Sequence, residues 1–180
     1  EEQKIAIRKF SGDYDRKIYK TYLLYGVTGS GKTEVYMEMI AKVLNDGRQA
    51  IVLIPEIALT YQTVMRFYTR FGERVSILNS RMSQGERYDQ MERVKKGEVD
   101  IMIGPRSALF TPFEKLGLIV IDEEHEPTYK SEQVPRFHAR ETAIERARME
   151  GASVVLGSAT PSLEAFYACE CGRYQMLRLK

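Results

Sequence analysis

Residues 26–33 read Gly26-Val27-Thr28-Gly29-Ser30-Gly31-Lys32-Thr33 and match the pattern G-x-x-x-x-G-K-[ST]. An apolar stretch, Tyr22 to Tyr25, comes before them, and residues 34–44 carry apolar side chains at helical spacing after them. The segment therefore joins a predicted strand to a predicted helix, as a phosphate-binding loop does. Its glycines let backbone N–H groups turn toward phosphate oxygens, and the N-terminus of the helix adds electrostatic attraction for an anion.

The last two residues of this phosphate loop (residues 26–33) carry the polar groups expected to bind a nucleotide and its metal ion. Lys32 is predicted to place its charge against the β- and γ-phosphates, and the Thr33 hydroxyl is predicted to ligate Mg²⁺. Every residue of the loop is therefore a candidate for binding ATP. A glycine turn that matches the pattern by chance is the alternative, and the strand and helix on either side disfavour it.

Length and composition fit a single α/β domain that spans residues 1–180. The chain has 180 residues, of which 43% are hydrophobic. It contains no apolar run near the roughly 18 residues that indicate a membrane span. Its net charge of +2 is too small to indicate nucleic-acid binding by bulk charge alone. We therefore expect a soluble cytoplasmic protein whose affinity for any nucleic acid depends on local features.

The two cysteines and the ends of the chain lead to two further expectations. Cys169 and Cys171 cannot supply the four ligands of a structural zinc site, so they are predicted to be free thiols. The chain begins without methionine and stops where its last predicted strand finishes. These ends predict a fragment of a longer protein.

Predicted strands and helices alternate along the chain, which is typical of an α/β fold with a mainly parallel, twisted sheet and helices on both faces. The N-terminal segment is the exception, because residues 11–14 interrupt a helix predicted from Gln3 to Phe10. The predicted strands are 22–25, 50–54, 75–78, 99–103, 118–121, 152–156 and 175–179. The later predicted helices are 34–44, 60–71, one between Ser83 and Gly97, 140–150 and 162–171.

An acidic segment, Asp122-Glu123-Glu124-His125, directly follows the apolar strand at 118–121. Ligands of parallel α/β sheets gather at the carboxyl ends of strands, so this segment is expected beside the phosphate loop, with the two loops following neighbouring strands. Asp122 is predicted to hold Mg²⁺ through water, and Glu123 to orient and deprotonate a water that attacks the γ-phosphate. An acidic surface loop is the alternative, which the phosphate loop upstream disfavours.

A third segment, Gly157-Ser158-Ala159-Thr160-Pro161, follows the next predicted strand. Its small hydroxyl residues, Ser158 and Thr160, can approach the acidic segment without steric bulk and relay the state of the nucleotide. Taken alone the segment is a weak signal, because a turn with a helix cap at either hydroxyl explains it equally well.

The three segments, GVTGSGKT, DEEH and SAT, occur in an order that resembles the first motor lobe of superfamily 2 helicases. Longer stretches narrow the resemblance to the bacterial replication-restart DNA helicases: LIPEIALTYQ from Leu53, IGPRSALFTPF from Ile103, IDEEHEPTYK from Ile121, PRFHARETAIERA from Pro135 and LGSATPSLEA from Leu156. The resemblance implies a RecA-like P-loop NTPase domain. It also implies a 3′ to 5′ DNA helicase that uses ATP and Mg²⁺ to restart stalled replication forks by primosome assembly.

The resemblance further implies residues that face single-stranded or forked DNA. Arg106 is the principal candidate for a contact with the DNA backbone. Gln3 lies roughly where the family reads adenine, although residues 11–17 leave its alignment open. The other implied DNA-facing residues are Pro55, Glu56, Thr60, Gly104 and Ser107.

Aromatic and basic side chains alternate between Tyr129 and Arg140, which the resemblance identifies as an aromatic-rich loop that couples DNA contact to the ATP site. Aromatic side chains that stack on bases contribute about 1–3 kcal/mol each and tolerate any sequence. Packing of Phe137 against the start of the following helix is the alternative. The implied coupling residues are His125, Tyr129, Lys130, Pro135, Arg136, Phe137, His138, Arg140, Ser158 and Thr160.

The resemblance also implies partners beyond the chain. A second helicase lobe supplies an arginine finger, worth on the order of 10³ to 10⁵ in turnover, so the chain alone is expected to bind Mg-nucleotide but hydrolyse ATP poorly. Primosome proteins and single-stranded DNA-binding protein are expected partners, and zinc is expected only in another segment of the longer protein. Two other functions stay open: a DExH-type RNA helicase lobe, and a nucleotide-dependent docking module without motor action.

Overall fold

The computed structural model of the chain describes residues 1–180 as alternating strands and helices. Its strands are β1 (Thr21–Gly26), β2 (Gln49–Leu53), β3 (Val75–Ile77), β4 (Ile101–Gly104), β5 (Leu116–Ile121), β6 (Ser153–Ser158) and β7 (Tyr174–Leu179). Its helices are α1 (Glu2–Asp15), α2 (Lys32–Asn45), α3 (Tyr61–Phe71), α4 (Gln84–Lys95), α5 (Ala139–Glu150) and α6 (Leu163–Glu170). Each predicted strand is present.

The seven strands form one parallel sheet in the order β3-β4-β2-β5-β6-β1-β7. The predicted α/β class with a mainly parallel sheet is therefore confirmed. Short 3-10 turns follow β2, β4 and β5, at Glu56–Ala58, Arg106–Phe110 and Pro127–Tyr129. These turns lie beyond the carboxyl ends of the strands, which is the edge where parallel sheets bind ligands.

Two apolar layers bury the two faces of the sheet. One layer contains side chains from α1, α2 and α3, and the other contains side chains from α4, α5 and α6. On β5, Leu118 and Val120 face the first layer, whereas Ile119 and Ile121 face the second, and all four are fully buried. Burial on both faces explains why this strand is continuously apolar. Because the strand is held in the middle of the sheet, the acidic segment at 122–125 lies at its carboxyl end.

The helix α1 is longer than its sequence predicts, because it continues through Ser11 to Asp15. Phe10 and Tyr14 stack with ring centroids 5.8 Å apart. Asp13 is fully buried and accepts a hydrogen bond of 2.8 Å from the Tyr22 hydroxyl on β1. The predicted interruption of this helix is therefore wrong, since these contacts outweigh the low helix propensity of its serine and glycine.

Side chains cap the N-termini of the helices α3 and α4. The Thr60 hydroxyl accepts a hydrogen bond from the backbone N–H of Thr63 at 3.3 Å. Ser83 and Glu86 form a reciprocal capping box at the start of α4. None of the six helices combines the length and the apolar character that crossing a membrane would require.

The strand β6 lies between β1, which leads into the phosphate loop, and β5, which leads into the acidic segment. The expectation that these two loops follow neighbouring strands is therefore wrong. Leu156 of β6 pairs with Leu23 of β1 on one side and with Ile121 of β5 on the other. Tertiary packing decides this strand order, and it places the segment that follows β6 between the other two loops.

Candidate active site

The phosphate loop has the backbone conformation that its glycines favour. Gly29 and Gly31 have φ values of 82° and 87°, in the left-handed region that other residues rarely adopt. Gly31 is the N-cap of α2, and no side chain caps the first turn of this helix. Backbone N–H donors of that turn are thus available where the sequence predicts phosphate.

Lys32 is buried inside this loop, where its ammonium donates to the carbonyl oxygens of Gly26 at 2.7 Å and Val27 at 3.2 Å. The hydroxyl oxygen of Ser30 is also buried in the loop and has no hydrogen-bond partner. A cation, an unpaired hydroxyl and free N–H donors in one loop are the chemistry that a phosphate chain requires. The residues of the loop therefore fit a nucleotide.

Gln3, at the start of α1, lies against the same loop. Its side-chain amide donates to the carbonyl oxygen of Ser30 at 2.9 Å. A Cβ added to Gly31 would lie 2.0 Å from the amide nitrogen of Gln3, so a side chain at position 31 would displace it. The N-terminus of α1 thus belongs to the candidate nucleotide site, and adenine reading by Gln3 stays a prediction.

The carboxylate of Asp122 lies against α2. Its Oδ1 accepts a hydrogen bond of 2.8 Å from the hydroxyl of Tyr36, one helical turn after Lys32. Burial raises the pKa of Asp122, whereas the Tyr36 hydrogen bond and the charge of Lys32 act in the opposite direction. The Tyr36 hydrogen bond therefore places the predicted metal-binding carboxylate against the helix that begins with the predicted phosphate-binding lysine.

Tyr36 is a residue of this site that sequence reasoning missed. It is 1% exposed and shares the buried face of α2 with Met39, Ile40 and Val43. Its position three and four residues before two of these apolar side chains is a signal of burial. A buried tyrosine hydroxyl needs a hydrogen-bond partner. Because Tyr36 follows the phosphate loop closely, that partner could be expected among the polar residues of the nucleotide site.

Glu123 has a strained backbone, with φ at +51°. A non-glycine residue in this region costs on the order of 1–3 kcal/mol and keeps the conformation only where surrounding contacts impose it. Burial raises the pKa of the Glu123 carboxyl, and the negative charge of Asp122 raises it further. A carboxylate with a raised pKa is suited to accept a proton from water near neutral pH.

His125 connects the acidic segment to the loop that follows β6. Its Nδ1 lies 2.6 Å from the hydroxyl oxygen of Ser158, and its Nε2 lies 3.5 Å from that of Thr160. The same Nε2 lies 3.5 Å from Oε2 of Glu123. The structure therefore brings together the side chains for which the sequence predicts a relay, and their role in relaying the nucleotide state stays a prediction.

Arg140 is an internal side chain, so the coupling predicted for it would act inside the protein and not by direct contact with DNA. It is 8% exposed, and its Nη1 lies 3.2 Å from Oε2 of Glu124, whose side chain is fully buried. Glu124 also accepts hydrogen bonds from the backbone N–H of Ser162 at 2.7 Å and from its hydroxyl at 3.0 Å. The buried carboxylate holds the arginine inside the protein, since leaving either charge unpaired is costly.

Arg106 contacts the aromatic-rich loop. Its Nη1 donates to the carbonyl oxygens of Thr128 at 2.7 Å and Lys130 at 3.0 Å. The guanidinium therefore braces the turn at Pro127–Tyr129 from the neighbouring turn after β4. Its predicted contact with a DNA phosphate stays a prediction, to be made by the remaining N–H groups.

Tyr129 is 1% exposed, so in this conformation its ring cannot stack on a base. Its hydroxyl donates to the backbone carbonyl oxygens of Asp122 at 2.6 Å and Leu53 at 3.1 Å. The base-stacking interpretation of this tyrosine is therefore wrong. The ring instead connects the aromatic-rich loop to the ends of β5 and β2, which fits the coupling that the sequence predicts.

The remaining side chains of the aromatic-rich loop divide by exposure. Lys130 and Arg136 are exposed, whereas Phe137 packs edge-on against Phe110, with ring centroids 5.2 Å apart. His138 is the N-cap of α5, and its Nδ1 accepts a hydrogen bond of 3.1 Å from the backbone N–H of Arg140. Burial and the charge of Arg140 lower the pKa of His138. Lys130 and Arg136 are therefore the cations of this loop that remain accessible to DNA.

A cavity of about 970 Å³ lies beside this loop at the carboxyl edge of the sheet. Its lining brings together the predicted DNA-facing residues Pro55, Glu56, Arg106 and Ser107 with Lys130. The three turns after β2, β4 and β5 contribute to it, so residues distant in sequence form one concave surface. The candidate DNA surface and the nucleotide site thus occupy adjacent parts of one sheet edge.

The donor set at the nucleotide site also fits Mg²⁺. Magnesium is usually bound through one or two protein oxygens together with substrate phosphates and waters, rather than in an all-protein cage. Thr33, in the first turn of α2, and Asp122 supply such oxygens. No group of three or more His, Cys, Asp or Glu side chains in the chain is placed to hold a metal ion.

The parallel sheet and the phosphate loop define a P-loop nucleotide-binding domain. Comparison with protein families identifies this domain as a helicase domain. The model of the family "DEAD/DEAH box helicase" matches residues 2–167. The chain therefore belongs to the DEAD/DEAH box helicase family. Membership implies use of a nucleotide together with Mg²⁺.

The curated relatives include replication restart protein PriA of Bacillus subtilis (strain 168), which is 51% identical over 180 residues. The alignment covers 100% of this chain and 22% of that relative. Replication restart protein PriA of Chlamydia pneumoniae is 46% identical over 179 residues, covering 99% of this chain and 24% of the relative. The chain thus spans less than a quarter of the length of these two proteins.

Solved structures share the fold at lower identity. RecG bound to a three-way DNA junction superposes with a TM-score of 0.71 at 23% identity, covering 99% of this chain and 23% of the RecG chain. The helicase domain of Hef from Pyrococcus furiosus gives 0.67 at 18% identity, covering 98% of this chain and 37% of that chain. These likenesses support the RecA-like helicase fold that the sequence predicts.

Proposed function

We propose that the chain is the ATP-binding motor lobe of a 3′ to 5′ DNA helicase that restarts stalled replication forks by primosome assembly. The observation that carries this proposal is the meeting of the phosphate loop and the acidic segment through the Tyr36–Asp122 hydrogen bond of 2.8 Å. The cavity lined by Arg106 and Lys130 beside that site supports DNA as the second ligand. The relatives named replication restart protein PriA support the biological role.

Each polar group of the nucleotide site has a distinct task in this proposal. Lys32 and the N–H groups of the phosphate loop hold the β- and γ-phosphates, and Thr33 with Asp122 would hold the metal ion. Bound Mg²⁺ would supply positive charge to the phosphate oxygens. Glu123 orients a water and accepts its proton, a task that its raised carboxyl pKa favours.

Two contacts support coupling between DNA and this chemistry. Arg106 bonds the carbonyl oxygens on both sides of Tyr129, and the Tyr129 hydroxyl bonds the carbonyl oxygen of Asp122. DNA in the cavity would contact Arg106. From there the hydrogen bonds lead through Tyr129 to the backbone of Asp122, whose carboxylate would bind the metal ion. We propose that a DNA-induced shift of the turn at 127–129 reaches the metal site by this route.

The chain alone is proposed to bind Mg-nucleotide and to hydrolyse ATP poorly, in a cytoplasmic protein of which it is one lobe. A second helicase lobe would add the arginine finger, worth on the order of 10³ to 10⁵ in turnover. Primosome proteins and single-stranded DNA-binding protein are the proposed partners of the longer protein. Its zinc, where present, would be bound by residues elsewhere in that protein.

The test compares the 180-residue chain with a two-lobe protein that contains it, in Mg-ATP with single-stranded DNA or RNA of matched length. We expect DNA-stimulated hydrolysis in the two-lobe protein, little in the chain alone, and weaker stimulation by RNA. Stronger stimulation by RNA would support an RNA helicase instead. Fork binding and restart that survive Glu123→Gln would support a docking module without motor action.

A further inference from the structure

The side chain of Tyr36 crosses from α2 to the ends of β5 and β6. It is 1% exposed, and its hydroxyl donates to Oδ1 of Asp122 at 2.8 Å. A Cβ placed on Gly157 would lie 1.5 Å from the Tyr36 hydroxyl oxygen and 2.7 Å from the ring carbon that carries it. The tyrosine can reach Asp122 in this way because residue 157 has no side chain.

Asp122 is held at both its backbone and its carboxylate. Its N–H donates to the carbonyl oxygen of Leu53 at 2.9 Å, and its own carbonyl oxygen accepts from the Tyr129 hydroxyl at 2.6 Å. Tyr36 then fixes Oδ1 of the carboxylate, because rotation of the carboxylate would break this hydrogen bond. The second carboxylate oxygen, Oδ2, keeps a defined orientation as a result.

We propose that Tyr36 is a positioning residue for magnesium: its hydroxyl fixes the orientation of the Asp122 carboxylate, which together with Thr33 would hold the ion, and Gly157 provides the space. The inference rests on the proposed function, because it concerns the binding of Mg-nucleotide. In this role Tyr36 acts through Asp122. Removing a group that orients a metal ligand lowers metal affinity by about 10- to 100-fold in comparable sites.

The same contact joins the metal site to the end of β6. The carbonyl oxygen of Gly157 accepts a hydrogen bond of 3.0 Å from the backbone N–H of Glu124. The next residue, Ser158, lies 2.6 Å from His125. Because Gly157 lies directly beside the Tyr36 hydroxyl, the orientation of Asp122 depends on the position of the end of β6.

The test measures the Mg²⁺ concentration that half-maximally tightens binding of a fluorescent ADP analogue to the 180-residue chain. Tyr36→Phe removes the hydroxyl and keeps the ring, so the packing of α2 is preserved. Tyr22→Phe is the matched control. The Tyr22 hydroxyl also donates to a buried carboxylate at 2.8 Å, but that carboxylate belongs to Asp13 of α1. Thermal unfolding of both variants reports the structural cost of losing a buried tyrosine–carboxylate hydrogen bond.

We expect Tyr36→Phe to raise the required Mg²⁺ concentration about tenfold or more, and to leave ADP binding in excess EDTA unchanged. Tyr22→Phe should lower the unfolding temperature without changing the Mg²⁺ requirement. In an Asp122→Asn background, Tyr36→Phe should have no further effect on that requirement, since the contact acts through the carboxylate.

A Mg²⁺ requirement within twofold of wild type in Tyr36→Phe would overturn the positioning role and leave the proposed function standing. Equal weakening of ADP binding with and without Mg²⁺ would also overturn it, because the tyrosine would then support the nucleotide site as a whole. Failure of the unchanged chain to bind ADP at any Mg²⁺ concentration would refute the proposed function itself, and the inference with it.

Discussion

Replacement of Arg140 by methionine tests whether this predicted coupling residue acts as an internal ion-pair partner or contacts DNA directly. In the structure its Nη1 lies 3.2 Å from the Glu124 carboxylate, and the two side chains are 9% and 0% exposed. Methionine keeps the length and the apolar stem but removes the charge. The substitution therefore leaves a carboxylate buried without its cation.

The expected cost follows from the contacts that Glu124 keeps. Removing one partner of a buried ion pair costs about 3–5 kcal/mol. Ser162 still donates to the carboxylate through its N–H at 2.7 Å and its hydroxyl at 3.0 Å, so we expect the lower end, about 3 kcal/mol. A chain of this size loses about 2–4 °C of unfolding temperature per kcal/mol, which gives a decrease of about 6–12 °C.

Urea unfolding followed by circular dichroism measures the free energy of unfolding of wild type, Arg140→Met, Glu124→Gln and the double variant. Glutamine removes the buried charge and retains an acceptor for Ser162. We therefore expect the double variant to be more stable than Arg140→Met alone. The interaction energy between the two sites should be at least about 1 kcal/mol, as for residues in one buried network.

Arg136 supplies the matched control, because it is an exposed arginine four residues earlier. Arg136→Met should change the free energy of unfolding by less than about 0.5 kcal/mol and weaken single-stranded DNA binding by a two-lobe protein. The opposite pattern would refute the reasoning. If Arg140→Met keeps wild-type stability and loses DNA affinity, Arg140 is a DNA contact and the ion pair is not important for stability.

Three further predictions follow from the same geometry. Glu123→Gln should abolish ATP hydrolysis by a two-lobe protein, measured as phosphate release. In the 180-residue chain it should raise the free energy of unfolding at neutral pH, measured by urea unfolding, because it removes a charge that burial and Asp122 disfavour. Since the folded-state pKa of Glu123 is raised, wild type should gain stability relative to this variant as pH falls toward that pKa. Tyr129→Phe should cost about 1–3 kcal/mol, measured in the same way, because the carbonyl oxygen of Asp122 loses the hydroxyl donor at 2.6 Å, whereas that of Leu53 keeps the N–H of Asp122. Gly31→Ala should weaken ADP binding, measured with a fluorescent analogue, and Gln3→Ala should restore only part of it, because position 31 also needs a positive φ of 87°.

Each of these has a result that would contradict it. A Glu123→Gln variant less stable than wild type at neutral pH would mean that the carboxylate is stabilised by its surroundings rather than strained by them. Unchanged stability of Tyr129→Phe would show that its two hydrogen bonds do not hold the strand ends. Full restoration of ADP binding in the Gln3→Ala, Gly31→Ala double variant would show that steric contact, and not backbone conformation, limits position 31.

The sequence by itself determined the fold class, the alternation of strands and helices and the location of the phosphate loop. These features depend on local chemistry: apolar periodicity, glycines that allow a positive φ at positions 29 and 31, and capping side chains at Thr60 and Ser83. Four apolar residues in succession at 118–121 likewise predicted a strand buried on both faces, and the structure buries all four. Each of these patterns lies within a short segment of the chain and does not depend on contacts with distant segments.

The strand order and the contacts between loops were decided by the tertiary structure. Sequence order gives no reason for β6 to pair between β1 and β5, and the expectation of neighbouring strands was wrong for that reason. The helix α1 continues through Ser11 and Gly12 because Asp13 and Tyr14 find partners on other elements. Long-range contacts of this sort override local propensity.

Tertiary structure also decided which polar residues face inward. Arg140 and Tyr129 belong to a segment whose basic and aromatic composition is typical of a nucleic-acid contact, yet both are buried. The position of Tyr36 among the apolar residues of α2 predicts only an ordinary core residue. In the structure its hydroxyl reaches the Asp122 carboxylate because Gly157 of β6 leaves space for it. The sequence therefore predicted which types of residue form the site. Their orientation depends on which partner satisfies each charge and hydroxyl once the sheet has brought distant segments together.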